Sequence, residues 1–131
     1  MTPLPFHGPK IHVVTQRYGR SDCSVACLAM LLKLPYEDVL VRFRHNVMAE
    51  GATTRQIQAV ARLLGTPLRY RTRVDLEQDA GILCVGSKDW STDHVVMLQN
   101  ELVIDTDASV WDADVFLTAH NATANGLLVP R

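Results

Sequence analysis

Apolar residues form two kinds of pattern along this chain, and the change comes after Pro67. Residues 23–32 are apolar nearly all round, with Val25, Ala26, Leu28, Ala29, Met30, Leu31 and Leu32. That predicts a central, buried helix starting near Asp22 or Cys23, with Ser21 or Asp22 as its N-cap. After Pro35 a second helix is predicted over 36–45, turning Val39, Leu40 and Phe43 inward. Gly51 breaks the chain ahead of Thr53 and Gln56, a hydroxyl and an amide at capping-box spacing. Ile57, Val60, Ala61 and Leu64 then recur at i, i+3, i+4 and i+7, until Gly65 and Pro67 stop the helix.

Beyond Pro67 the period shortens. Leu68, Tyr70 and Thr72 alternate with arginines, as on a half-exposed strand. Residues 82–85, between Gly81 and Gly86, predict a short buried strand. The apolar runs 94–98 and 102–105, joined by Gln99, Asn100 and Glu101, predict a hairpin. A short helix over 112–119 and a last strand at 127–129 follow. The opening stretch, 1–15, is proline-rich and then apolar over 11–14, which predicts an extended arm or edge strand. Helices first and strands afterwards indicate an α+β fold, a helical N-terminal half packed on an antiparallel sheet. The pattern holds no repeat, linker or low-complexity segment.

Composition narrows the function. At 131 residues the chain is expected to form one domain, and 47% hydrophobic with 21% charged residues is globular composition. A net charge of -1 with interspersed signs offers no electrostatic footprint for nucleic acid or an acidic membrane. Arg69, Arg71 and Arg73 read as a solvated strand face. Three cysteines, an odd count in a chain of this size, point to reduced thiols. The N-terminus lacks the basic-then-apolar order of a signal peptide. The longest apolar run falls short of the roughly 20 residues of a membrane span. A cytoplasmic protein without membrane insertion is expected.

Candidate chemistry sits where the two patterns meet. Cys23 opens the buried helix, where free N–H groups and the helix dipole favour a thiolate. Cys27, one turn deeper, and Cys84, within an apolar strand, read as core. A zinc site from Cys23, Cys27 and a histidine would lack a fourth ligand, so no metal or cofactor is expected. Of five histidines, His7 and His12 fall in the arm, and His45 and His120 near helix ends. His94 differs, standing at the mouth of a strand after a turn-rich loop, where a base can be held rigidly beside a cleft. If the hairpin pairs as predicted, Asp105 returns to His94 and can orient its ring. Asp107 is the rival, and turn formation is the plain alternative for both. Gln16 could donate to a developing oxyanion together with the Cys23 backbone N–H. Trp90 reads as capping the core rather than lining a cleft.

These residues, in this order, resemble the bacteriocin-processing cysteine peptidases, the double-glycine leader peptidases. The likeness rests on Gln16, residues 22–30, the helix over 53–65, and the segments 81–85, 94–98 and 103–105, with 110–117 similar to the family's late helix. It covers the chain from about residue 11 to its end. Ser24 stands where the family usually has glycine, Thr106 where proline is common, and Gln16 lies one residue farther from the cysteine. The resemblance implies a papain-like fold over 1–131 with 1–10 as the arm, in a stand-alone relative without a transporter domain. It implies Cys23 as nucleophile, His94 as base and acid, Asp105 as orienter and Gln16 as oxyanion donor. The expected function is a thiol hydrolase cleaving a peptide or isopeptide bond in a peptide or protein substrate. The same side chains would also serve a transglutaminase, deamidase or acyltransferase, or remain in an inactive module that binds a partner protein. The loops 45–52 and 87–93 are expected to form specificity pockets.

Overall fold

A computed structural model describes residues 13–17 and 21–131 of the chain. Residues 1–12 of the expected arm, with His7 and His12, lie outside them, while Val13 and Val14 pack against the core without forming a strand. Helices α1 (Cys23–Leu32), α2 (Tyr36–Leu40), α3 (Val47–Glu50) and α4 (Thr54–Leu63) come first. Strands β1 (Leu68–Arg71), β2 (Gly81–Ser87), β3 (His94–Gln99), β4 (Leu102–Ile104) and β5 (Val110–Asp112) follow, then α5 (Ala113–Ala119) and β6 (Ala122–Pro130). The sheet is antiparallel, in the order β1-β6-β2-β3-β4-β5.

Both faces of this sheet are covered, which is why its strands read as continuous apolar runs. Ile82, Met97, Ile104 and Leu128 point to the side where Val25 and Leu28 of α1, Val39 of α2 and Ile57 of α4 pack. Their chain neighbours Leu83, Val96, Leu98, Val103 and Leu127 point to the other side, against Trp111 and Phe116. The period-2 rule of a strand thus feeds two cores. Helix α1 lies within the first, with every residue from Ser24 to Met30 buried. It ends where Lys33 adopts a left-handed conformation, φ 55 and ψ 47.

Helix α4 matches its sequence signals. Thr53 Oγ1 accepts from the Gln56 N–H at 3.2 Å, and Gln56 Oε1 accepts from the Thr53 N–H at 2.9 Å. Ile57, Val60 and Ala61 are its buried face. In the β3–β4 hairpin, Gln99 pairs with Leu102 across Asn100 and Glu101, both at positive φ (53 and 65). Such a two-residue turn twists with its strands and fixes the register.

Four expectations need correction. The helix over 36–45 stops at Leu40, because the N–H groups of Arg42 and Phe43 bond back to Val39 and Leu40, tightening the last turn. The helix expected from 112 is preceded by β5, whose Trp111 and Val110 pair with Val103 and Ile104. The last strand begins at Ala122, where small and polar residues pair with residues 85–87 without any hydrophobic signal. Tyr70 is exposed rather than inward, its hydroxyl donating to the Asn125 carbonyl at 3.3 Å, and Thr72 lies beyond β1.

Leu28 is fully buried, so Leu28→Ala should cost about 2–5 kcal/mol, whereas Thr53→Ala should cost about 1 kcal/mol for a lost cap. Urea unfolding of both variants checks this ordering.

Candidate active site

Cys23 is the first residue of α1 and half-buried, while its successors along the helix are sealed in the core. Asp22 occupies the N-cap position, but its side chain makes no capping hydrogen bond. It is fully buried instead, and Oδ2 accepts from the Arg17 N–H at 3.0 Å and from the Tyr36 hydroxyl. Burial pushes the Tyr36 phenol up, and its bond to Asp22 adds to the shift, so it stays a donor. The Ser21 N–H also bonds to the Met48 carbonyl at 2.8 Å. The turn presenting the sulfur is therefore tied to α2 and α3. Sequence reading offered Asp22 only as a cap; no local signal reveals a buried anchor whose partner Tyr36 lies on another helix.

His94 opens β3, paired with Val85, and the sheet brings Asp105 to it. Met97 pairs with Ile104, so the chain just past β4 lies diagonally across from His94. Asp105 Oδ1 stands 2.7 Å from His94 Nε2, with side-chain exposures of 14% and 24%. The Thr106 N–H donates to the same oxygen at 2.7 Å. Asp107 is engaged elsewhere: its Oδ1 accepts from the Ser109 N–H at 2.9 Å, closing a turn. The geometry thus separates the two aspartates.

Burial alone would push the His94 imidazole down. The hydrogen bond to Asp105, followed by the hydrogen bond and charge of Cys23, outweighs it and raises His94 to about 10. Asp105 shows the converse. Burial would raise its carboxyl, yet the bond to His94, that ring's charge and the Thr106 N–H hold it below the usual range. With Nε2 engaged by Asp105, Nδ1 is the ring nitrogen that can serve the sulfur. The Trp90 ring meets His94 edge to face, 5.8 Å between centroids and 79° between planes. Trp90 packs on the second core and also lines the cleft, so core capping describes only half of what it does.

Gln16 reaches this site through Thr106. Its N–H donates to the Thr106 carbonyl at 2.8 Å, and the Thr106 hydroxyl donates to Gln16 Oε1. Gln16, Cys23, His94 and Asp105 all line one cleft of about 1310 Å³. Its walls include residues from both loops marked in the sequence, among them His45 and Glu50 from the first and Asp89 and Asp93 from the second. His45 holds its loop through a 2.7 Å contact between Nε2 and the Gly51 carbonyl.

The other thiols differ from Cys23. Cys27 is fully buried, and burial, with the charge of Cys23 next, pushes its thiol well up. Cys84 is half-buried and borders the cleft, so the expectation that it is core is corrected; burial still pushes it up to about 11. His120 caps α5, its Nδ1 lying 2.8 Å from the Phe116 carbonyl, and its ring also packs against Trp90 and Trp111. That cluster was not legible from spacing. Among the described residues no group of three or more His, Cys, Asp or Glu is arranged to hold a metal ion. No described helix is long and apolar enough to cross a membrane.

No protein-family model matches the chain, and no curated protein matches it in sequence. A solved structure is similar in fold: the crystal structure of a double glycine motif protease from an AMS/PCAT transporter, in complex with the leader peptide. The two are 18% identical with a TM-score of 0.64, over 99% of this chain and 97% of that one. The helices and the six-stranded antiparallel sheet therefore form a papain-like α+β fold, held in common with that protease along nearly the whole length of both chains.

Proposed function

We propose that this protein is a cysteine peptidase that cleaves a peptide or isopeptide bond through an acyl-enzyme on Cys23. The observation that carries the reading is the 2.7 Å contact of His94 with Asp105, in a cleft that also holds Cys23 and Gln16. A ring raised to about 10 is protonated at neutral pH, so an imidazolium stands ready beside the sulfur. The thiolate attacks the scissile carbonyl, forming the carbon–sulfur bond and pushing the π electrons onto oxygen. The backbone N–H of Cys23 and the amide of Gln16 hold that oxyanion. His94 gives its proton to the leaving amine as the carbon–nitrogen bond breaks. Water, deprotonated by His94, then attacks the thioester and releases the acid, restoring thiolate and imidazolium. Asp105 keeps the ring oriented and its cation stabilised throughout.

The substrate class is a peptide. The similar protease is named for a double glycine motif and was solved with a leader peptide, which supports testing Gly-Gly before the scissile bond here. The fold's similarity to that protease and the sequence order of the four side chains support the same reading.

A fluorogenic peptide with Gly-Gly at that position should be cleaved by the wild type and left intact by Cys23→Ala. Cleavage by Cys23→Ala at the wild-type rate would refute the assignment. His94→Ala should lose about 10²–10⁴-fold in kcat/KM.

The ring offers an independent check by NMR titration of the His94 C–H signals. The midpoint should lie near 10 in the wild type and fall toward the ordinary value of about 6.5 in Asp105→Asn. Since the folded value exceeds the unfolded one, this group's stabilisation is complete below about pH 6.5 and is lost as pH rises through 10. Urea unfolding of Asp105→Asn should show a weaker loss over that interval than the wild type.

A further inference from the structure

We propose that Thr106 is a positioning residue that holds the Gln16 carboxamide in the orientation an oxyanion requires, an inference that rests on the hydrolase reading above. A glutamine side chain has one accepting and one donating end, and only the N–H end can stabilise developing negative charge. Rotation of the amide by half a turn would present oxygen to oxygen and abolish that contribution. The Thr106 hydroxyl removes the ambiguity by donating to Gln16 Oε1. The Gln16 backbone is fastened to the same residue, its N–H donating to the Thr106 carbonyl at 2.8 Å. Backbone and side chain of Gln16 are thus both referenced to one point.

That point is itself rigid. Thr106 is 1% exposed, and its own N–H donates at 2.7 Å to Asp105 Oδ1, the oxygen that meets His94. Gln16 precedes the helix that carries Cys23, whereas Thr106 follows the strand that leads to Asp105. Thr106 therefore ties the oxyanion donor to the acid–base pair. Its hydroxyl acts on Gln16 and its N–H on Asp105, so removing the hydroxyl alone separates the two effects.

Two reactions of Cys23 distinguish them. Acylation by p-nitrophenyl acetate passes through a tetrahedral oxyanion: the sulfur bonds to the acetyl carbon, the carbonyl electrons move to oxygen, and their return expels p-nitrophenolate. Alkylation by iodoacetamide displaces iodide at a saturated carbon and forms no oxyanion. Thr106→Val should slow acylation about 10- to 100-fold, bounded above by the loss of a whole donor. It should leave alkylation within about twofold, and Thr106→Ser should recover most of the acylation rate. In a Gln16→Ala background, Thr106→Val should add less than about twofold, because both changes remove one interaction. Equal losses in both reactions, no loss in either, or additive losses in the double variant would overturn the proposal. A wild type alkylated at Cys23 but never acylated there would instead overturn the hydrolase reading, and this inference with it.

Discussion

The hydrogen bond between His94 Nε2 and Asp105 Oδ1 organises the site, because burial disfavours the charged form of both groups and this contact favours it. Burial pushes the imidazole toward its neutral form and the carboxylate toward its own neutral form. Paired at 2.7 Å, each supplies the charge that the other's environment disfavours. The pair in turn depends on hairpin register. Asn100 and Glu101 set a two-residue turn, which pairs Gln99 with Leu102 and brings Asp105 diagonally across from His94. A slip of one residue would invert every side chain after the turn and send the carboxylate to the opposite face.

The sulfur reaches this pair by a different route. Helix α1 is buried in the core from Ser24 to Met30, so burial fixes its axis, and only its first two residues, Cys23 and Ser24, line the cleft. The residues before it are pinned twice. Asp22 joins the Arg17 N–H and the Tyr36 hydroxyl, and Gln16 joins Thr106 at the far end of the hairpin. The helical half and the sheet are thereby locked together at the cleft itself. Misplacing either half would separate sulfur from ring, which links the stability of the fold to the geometry of the chemistry.

Much of this was legible in the chain because the signals were local. The capping box at Thr53 and Gln56, the all-apolar run after Cys23 and the two strands flanking Asn100 carry their own geometry. What could not be read came from partners distant in sequence. Asp22 resembles an ordinary N-cap until Tyr36 meets it, and Thr106 registers only as a departure from a family pattern until Gln16 does. The first half of strand β6 carries no local signal, because residues 122–126 owe their strand conformation to β2 rather than to their own side chains. Trp90 and His120 fall on separate elements, and their contact exists only once α5 and the loop before β3 fold together.

The central claim is that one sulfur attacks a carbonyl with one ring as its acid and base and one carboxylate orienting that ring. Its most direct test is acid-quenched mass spectrometry of the protein mixed with a Gly-Gly peptide ester, with the adduct mapped by peptide digestion. The account predicts an acyl group on Cys23 that accumulates in the wild type and is nearly absent in His94→Ala. An adduct on Cys27 or Cys84, or equal acylation of Cys23 without the imidazole, would contradict it.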